Sequence, residues 1–345
     1  MSTARPWLLA LGVAAVAASA VAAAAGAAAV LHAYLVAVAF WLNLALGALG
    51  VALLHGLTGG RWGGSALPAL RALTRLLPPL ALAIVPLVLA YRAVLPLGSD
   101  LPEPQRGYFA PSWFGARLVL YFAVWIGAAA LLRAPAGVRR SRAAAAGMLL
   151  YVLASTLFGV DWLASSRPGS IDTIVGFVLI AGQLAGALAF VVVLAAPRST
   201  KTVATARLQD LGNLLLAAVM FYAYVLVMQL LIIWSANLPD EIEWYLARGG
   251  GVGVAAAAGV ALCNTLALAL LSSRRVKRER RALLCAAALV LLGHLCSTYW
   301  WLAPLLDASP MRLLDLPLIA ALGAGGWAAA DWRRAPRRLL AEPQS

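Results

Sequence analysis

The sequence predicts an all-α integral membrane protein of about ten transmembrane helices, with both termini in the cytoplasm. Of its 345 residues, 63% are hydrophobic and only 12% are charged, whereas a soluble domain is about 25% charged. The apolar residues also fall into runs of about 20, the length that crosses a bilayer as a helix. The formal charge of +14 lies in short clusters between those runs, and this distribution argues against nucleic acid as the partner.

Ten runs of the sequence are long and apolar enough to span a membrane. Lipid offers no hydrogen-bond partners to the backbone, so each run must be a helix. In chain order the predicted helices cover residues 7–26, 31–57, 77–97, 113–132, 143–164, 172–196, 210–234, 251–271, 282–304 and 312–332.

Basic residues predict the orientation of these helices. Of the 27 Lys and Arg residues, 21 lie at the two termini or in the connections after predicted helices 2, 4, 6 and 8. The positive-inside rule places those segments in the cytoplasm. Acidic residues prefer the opposite side, and aromatic groups such as Trp244-Tyr245 and Tyr299-Trp300-Trp301 mark the outer interface.

The whole chain, 1–345, is predicted to form a single polytopic membrane domain. Residues 31–305 make its core, and residues 306–345 add a last helix and a basic cytoplasmic tail. Two hypotheses fit the Ala-rich residues 1–30: they form a retained extra helix, or they are a cleavable signal peptide. The connections are too short for a soluble domain.

The three cysteines do not predict a cofactor. Cys263, Cys285 and Cys296 lie in apolar segments, and no CxxCH motif is present for covalent haem. We interpret them as small hydrophobic residues, and we expect the chain to bind no metal and no redox cofactor of its own.

Three polar residues of predicted helix 7 are candidates for a quinone site or a proton path. Asp210 either caps the start of this helix or admits protons with Asn213, which is three residues further on. Gln229, nearer the outer end, either bonds a neighbouring helix or contacts a quinone. Because polar groups are costly in lipid, we predict that all three face the interior of the bundle, with Gln229 near a quinone-sized groove.

Asp161, at the outer end of predicted helix 5, is a fourth candidate. Arg167 and Asp172 are close in the sequence, so one hypothesis is a charge pair at the outer surface. The other is that the carboxylate accepts a proton from a bound quinol.

His294, near the middle of predicted helix 9, is the fifth candidate. An imidazole there can bond across helices or relay a proton. Haem ligation needs a second histidine at matching depth, and neither His32 nor His55 provides one because they lie at the two ends of predicted helix 2.

Four segments of the chain resemble a known family. DLGNLLLAAVMFYAYVLVMQLLIIWSANLPDEIEWY, from residue 210, is similar to helix 7 of the family of membrane subunits F of alternative complex III, which are NrfD-like or polysulfide-reductase-like proteins. The other three segments also resemble this family. They are AYLVAVAFWLNLALGALGVALLHGLTGGRWG at 33–63, VDWLASSRPGSIDTIVGF at 160–177 and YWWLAPLLDASP at 299–310.

The resemblance implies two NrfD-like four-helix bundles in a bacterial cytoplasmic membrane. It implies a subunit of a quinol:cytochrome c oxidoreductase, not catalytic alone, with a degenerate quinone site or a proton half-channel. Its partners would be an NrfD-like sister subunit that binds quinol, an iron–sulfur protein and a multihaem cytochrome c, so that the haems and iron–sulfur clusters lie in those partners. The alternative is a stand-alone transporter or membrane anchor without a redox role.

The chain departs from the family pattern at three places. His55 is followed by Gly56 where the family has paired histidines, and Gln209 precedes Asp210 where histidine is common. In predicted helix 9 the family tends to carry Arg and Asp, whereas this chain has His294 and Ser297. Each departure removes a titratable group, so the resemblance implies the architecture better than a complete quinol or proton site.

Overall fold

The computed structural model describes residues 6–60, 62–91, 107–132, 137–166, 174–196, 202–237, 239–306 and 314–330. These residues form α-helices joined by short turns, and no strand occurs among them. The predicted fold class is confirmed: the chain is an all-α multi-pass membrane protein of about ten helices. Outer and inner ends are named below by the predicted orientation.

Fourteen α-helices occupy the described ranges, and nine spans among them are long and apolar enough to cross a membrane. They are α1 (Pro6–Ala24), α2 (Ala28–Thr58), α3 (Gly63–Thr74), α4 (Leu77–Ala83), α5 (Val85–Leu89), α6 (Pro111–Leu131), α7 (Val138–Ser166), α8 (Val175–Ala195), α9 (Thr202–Ala236), α10 (Pro239–Leu246), α11 (Gly251–Ser272), α12 (Arg274–Arg278), α13 (Arg280–Leu302) and α14 (Asp315–Ala329). One span joins α3 to α5 as Gly63–Leu89. The tenth predicted helix is present as α14, 15 residues long.

The third span begins at Gly63, whereas the sequence predicted residue 77. Arg71 and Arg75 interrupt the apolar run, and this interruption led to the prediction of a loop. Both arginines are exposed, and α3 with its C-terminal turn carries them. An arginine can bury its apolar stem along a helix while its charge reaches water, so the interruption does not end the helix.

The bundle is organised around α8, which packs against α2, α3, α7, α9 and α13. Glycines allow this close approach. A Cβ on Gly186 would lie 2.7 Å from Nδ1 of His294, and a Cβ on Gly182 would lie 3.1 Å from the ring of Tyr222. Side chains from α13 and α9 therefore rest directly on the backbone of α8.

Candidate functional site

Four side chains at the outer end of α6 and α7 form a polar group around a buried carboxylate. We name this group the Asp161 cluster: Asp161, Arg117, Tyr108 and Tyr121. Asp161 is only 1% exposed. Arg117 and Tyr121 are four residues apart and so share one face of α6, while Tyr108 lies just before that helix.

Both carboxylate oxygens of Asp161 accept hydrogen bonds. Arg117 Nε donates to Oδ2 at 2.8 Å, the Tyr121 hydroxyl donates to Oδ2 at 2.7 Å, and the Tyr108 hydroxyl donates to Oδ1 at 2.5 Å. Arg117 Nη1 also donates to the Tyr108 carbonyl at 2.8 Å, and the guanidinium lies 3.8 Å from the centre of the Tyr108 ring. The cation–π contact and the charge-assisted bonds hold the carboxylate in one position.

Tyr108 completes the cluster at the membrane surface. Burial, together with the neighbouring Asp161 carboxylate, raises the pKa of Tyr108 to about 12. The phenol therefore stays protonated at physiological pH and acts as a hydrogen-bond donor. The predicted charge pair with Arg167 and Asp172 lies outside the described residues; among the described residues, the buried Asp161 carboxylate pairs with Arg117.

A small cavity is lined by Phe158 and Trp162, which are close to Asp161 in the chain, but by no side chain of the Asp161 cluster. Its volume is about 60 Å³, and two polar side chains, Asn43 and Thr298, reach its wall. The aromatic part of the wall comes from Phe158, from Trp162, which follows Asp161 in the chain, and from Trp301. Pockets that bind a drug-sized ligand are roughly 300–1,000 Å³, so this cavity has room for a few water molecules but not for a quinone ring.

Asn43 connects that cavity to a polar network near the middle of the bundle. Gln183 Nε2 donates to Asn43 Oδ1 at 2.9 Å, and the Tyr151 hydroxyl donates to Gln183 Oε1 at 3.1 Å. The network joins α2, α8 and α7. Sequence reasoning missed all three residues, although Asn43 and Gln183 carry the signal that singled out Gln229, an amide inside an apolar run.

His294 is buried where α13 meets α2 and α8. Its ring centre lies 5.4 Å from that of Phe40, and its Nδ1 faces Gly186. Its Nε2 has no hydrogen-bond partner among the described residues. One turn further along α13, Ser297 shares a 2.9 Å hydrogen bond with the Tyr222 hydroxyl of α9. The candidate histidine thus belongs to the packed centre of the bundle.

Comparisons with known proteins do not identify a family for this chain. No family model matches the chain, and no curated protein matches it.

The structure separates the three candidates of predicted helix 7. Gln229 is 1% exposed, which confirms its interior position, but it lines neither of the two cavities described here. Asp210 and Asn213 are exposed, so their predicted interior position is wrong. The capping hypothesis for Asp210 is wrong as well, because α9 begins at Thr202, more than two turns earlier.

A second cavity of about 380 Å³ lies between α1, α2, α4 and α14. The residues around it are apolar, and Trp41 is the largest of them. The Trp41 indole N–H already donates to the Ile319 carbonyl at 2.7 Å. The groove therefore suits a hydrocarbon chain and offers little to a polar head group.

Arg248 is a buried cation at the outer end of the bundle. It is 4% exposed, and it donates to the carbonyls of Trp244, Trp300 and Trp301 at 2.8, 3.1 and 3.4 Å. Its guanidinium lies 3.6 Å from the centre of the Trp244 ring. Burial lowers the pKa of Arg248 to about 9, still above physiological pH. The cation therefore neutralises the partial negative charge at the ends of α10 and α13.

Replacing Arg248 with methionine is expected to lower the free energy of unfolding by about 2–3 kcal/mol, because buried carbonyls lose a charged donor. The measurement is unfolding of the purified protein in detergent micelles. The matched control is Arg274→Met, which changes an exposed arginine of α12 and should leave stability within about 0.5 kcal/mol. Equal losses for the two variants would contradict the buried role of Arg248.

Proposed function

We propose that the chain is a non-catalytic membrane subunit of a respiratory quinol:cytochrome c, or quinol:electron acceptor, oxidoreductase in a bacterial cytoplasmic membrane. It supports the assembly of an NrfD-like sister subunit, an iron–sulfur protein and a multihaem cytochrome c. The electron carriers belong to those partners, and quinol is oxidised in the sister subunit.

The observation that carries this proposal is the Asp161 cluster. Asp161 and Trp162 belong to the segment 160–177, one of the four that resemble the NrfD-like family. The cluster holds a carboxylate and two hydroxyl groups, the kind of groups that a quinol site needs for proton transfer. Trp162, which follows Asp161 in the chain, lines an aromatic cavity. The cavity of about 60 Å³ lacks room for the quinone itself. A degenerate quinone site would keep such polar groups while lacking space for the quinone.

The proposal is tested by purifying a tagged copy of the full chain from gently solubilised native membranes. We expect haem absorbance, and mass spectrometry should find a multihaem cytochrome, an iron–sulfur protein and a second NrfD-like chain. A photoreactive quinone added to this preparation should label the second NrfD-like chain and spare the peptide that contains Phe158 and Trp162.

Two outcomes would overturn parts of the proposal. A lone polypeptide without haem absorbance would remove the respiratory role and favour a stand-alone transporter or anchor, to be tested by solute flux into vesicles. Quinone labelling at Phe158 or Trp162 in an intact complex would replace the degenerate site with a complete one.

A further inference from the structure

The outward face of α9 carries a regular stripe of exposed side chains. Their positions alternate by three and four residues, a mean spacing of about 3.4, which is close to the period of 3.5 at which two helices meet along a common seam. We name this set the α9 stripe: Asp210, Asn213, Ala217, Met220, Tyr224, Val227, Leu231 and Trp234.

With Trp234 taken as the outer interface, Tyr224 on this stripe lies near the depth of the bilayer centre. Trp234, 76% exposed near the outer end of α9, marks the interface. Ten residues separate the two, which is about 15 Å along a helix and half of a hydrocarbon core of about 30 Å. Tyr224 is 60% exposed. Lipid tails offer no partner to its hydroxyl, and tyrosines in membranes concentrate at the interfaces instead.

Asp210 marks the inner end of the stripe. It is exposed, and it lies about four turns of helix from Tyr224. The inner surface of a membrane carries anionic lipids that attract cations, so lipid is an unfavourable neighbour for this carboxylate. The stripe therefore presents a hydroxyl at the membrane centre and an anion at the inner surface, and lipid suits neither group.

We propose that the α9 stripe binds a transmembrane helix of a different membrane protein. That helix carries a hydrogen-bonding side chain at the depth of Tyr224 and a Lys or Arg at the depth of Asp210. Interhelical hydrogen bonds and close packing drive such association in lipid. The inference rests on the proposed function only in requiring that a partner chain exists in the membrane.

Charge argues against a second copy of this chain as the occupant. In a two-fold pair that meets along the stripe, each residue near the axis faces its own copy. Asp210 would then face Asp210, and like charges in contact disfavour an interface. A foreign helix avoids this repulsion, because transmembrane helices commonly carry Lys or Arg at their inner ends.

The experiment places a photoreactive benzoylphenylalanine at Met220 or Tyr224 in the full chain and irradiates the native membranes. Both positions should crosslink to a transmembrane peptide of one other chain, at a yield at least five-fold above the control. The control is the same group at Val119 on α6, which is 72% exposed away from the stripe.

A charge-reversal series tests the chemistry of the occupant. Asp210→Lys should lower the crosslink yield from Met220 by at least five-fold, and changing the facing Lys or Arg of the partner to Glu should restore it. Glu279→Lys, the same change at an exposed inner position outside the stripe, should leave the yield unchanged. Tyr224→Phe, which removes only the hydroxyl, should lower the yield from Met220.

Several outcomes would overturn the inference: adducts with a second copy of the chain, equal yields at Val119, or a partner whose charge reversal fails to restore the Asp210→Lys variant. The failure of the proposed function is distinguishable. Haem and iron–sulfur subunits that co-purify without any adduct on the stripe would overturn the inference alone. A stripe adduct in a preparation without haem would overturn the respiratory role alone.

Discussion

Replacing Asp161 with alanine is expected to lower the free energy of unfolding by about 3–5 kcal/mol, the loss usual when one partner of a buried ion pair is removed. Arg117, whose side chain is 17% exposed, would keep its charge without an anion. The hydroxyl of Tyr121, a buried residue, would lose its acceptor as well. Tyr108 is 41% exposed, so water can replace part of its lost bond.

Three variants of the Asp161 cluster separate charge from shape when their unfolding in detergent micelles is measured. Asp161→Asn keeps the size of the side chain and an acceptor, so its loss should be smaller than that of Asp161→Ala. The double variant Asp161→Leu, Arg117→Leu replaces the pair with apolar groups and should recover most of the stability. A loss below about 1 kcal/mol for Asp161→Ala would mean that the pair behaves as an exposed one.

Much of the fold was predictable because lipid leaves the backbone few choices. Nine of the ten predicted helices overlap a membrane-spanning helix, and α14 lies at the tenth. The main error was the start of the third span at Gly63. A count of apolar residues treats Arg71 and Arg75 as breaks, whereas their flexible stems let the helix continue past them.

It was harder to predict which polar residues face the bundle interior, because the neighbouring helices decide which side of a helix is buried. α9 is apolar around most of its circumference, so its pattern alone does not show which side faces α8. In the structure the side of α9 that carries Gln229 is buried, and Asp210 and Asn213 are therefore exposed. A partner helix in the membrane would reconcile that outward position with the cost of polar groups in lipid.

The ion-pair partner of Asp161 could not be predicted from the sequence, for a different reason. The sequence offered Arg167 as the nearest cation, while the structure pairs the carboxylate with Arg117, 44 residues earlier in the chain. Only the antiparallel packing of α6 on α7 brings them together. Arg117 did carry a signal, because it lies inside an apolar run, where a charge is costly and needs a partner.

Replacing Gly47 with alanine is expected to lower the free energy of unfolding by about 3 kcal/mol or more, at the upper end for an overpacked core. The added Cβ would overlap the carbonyl oxygen of Gln183 and lie 2.9 Å from the Cβ of Ala187. A backbone oxygen cannot rotate away as a side chain can, so α2 and α8 must separate. That movement also strains the Gln183–Asn43 hydrogen bond, which joins the same two helices.

Two other glycines supply a graded control, because they differ in what a new Cβ would contact. At Gly50 the nearest atoms belong to the side chains of Leu184 and Tyr151 at 2.9 Å, which can shift, so Gly50→Ala should cost less than Gly47→Ala. At Gly127 no atom lies within 4 Å, so Gly127→Ala should be neutral or stabilising by up to about 1 kcal/mol. Unfolding in micelles should rank the losses as Gly47, Gly50 and Gly127. If Gly47→Ala costs no more than Gly127→Ala, backbone contact between α2 and α8 does not set the spacing at the centre of the bundle.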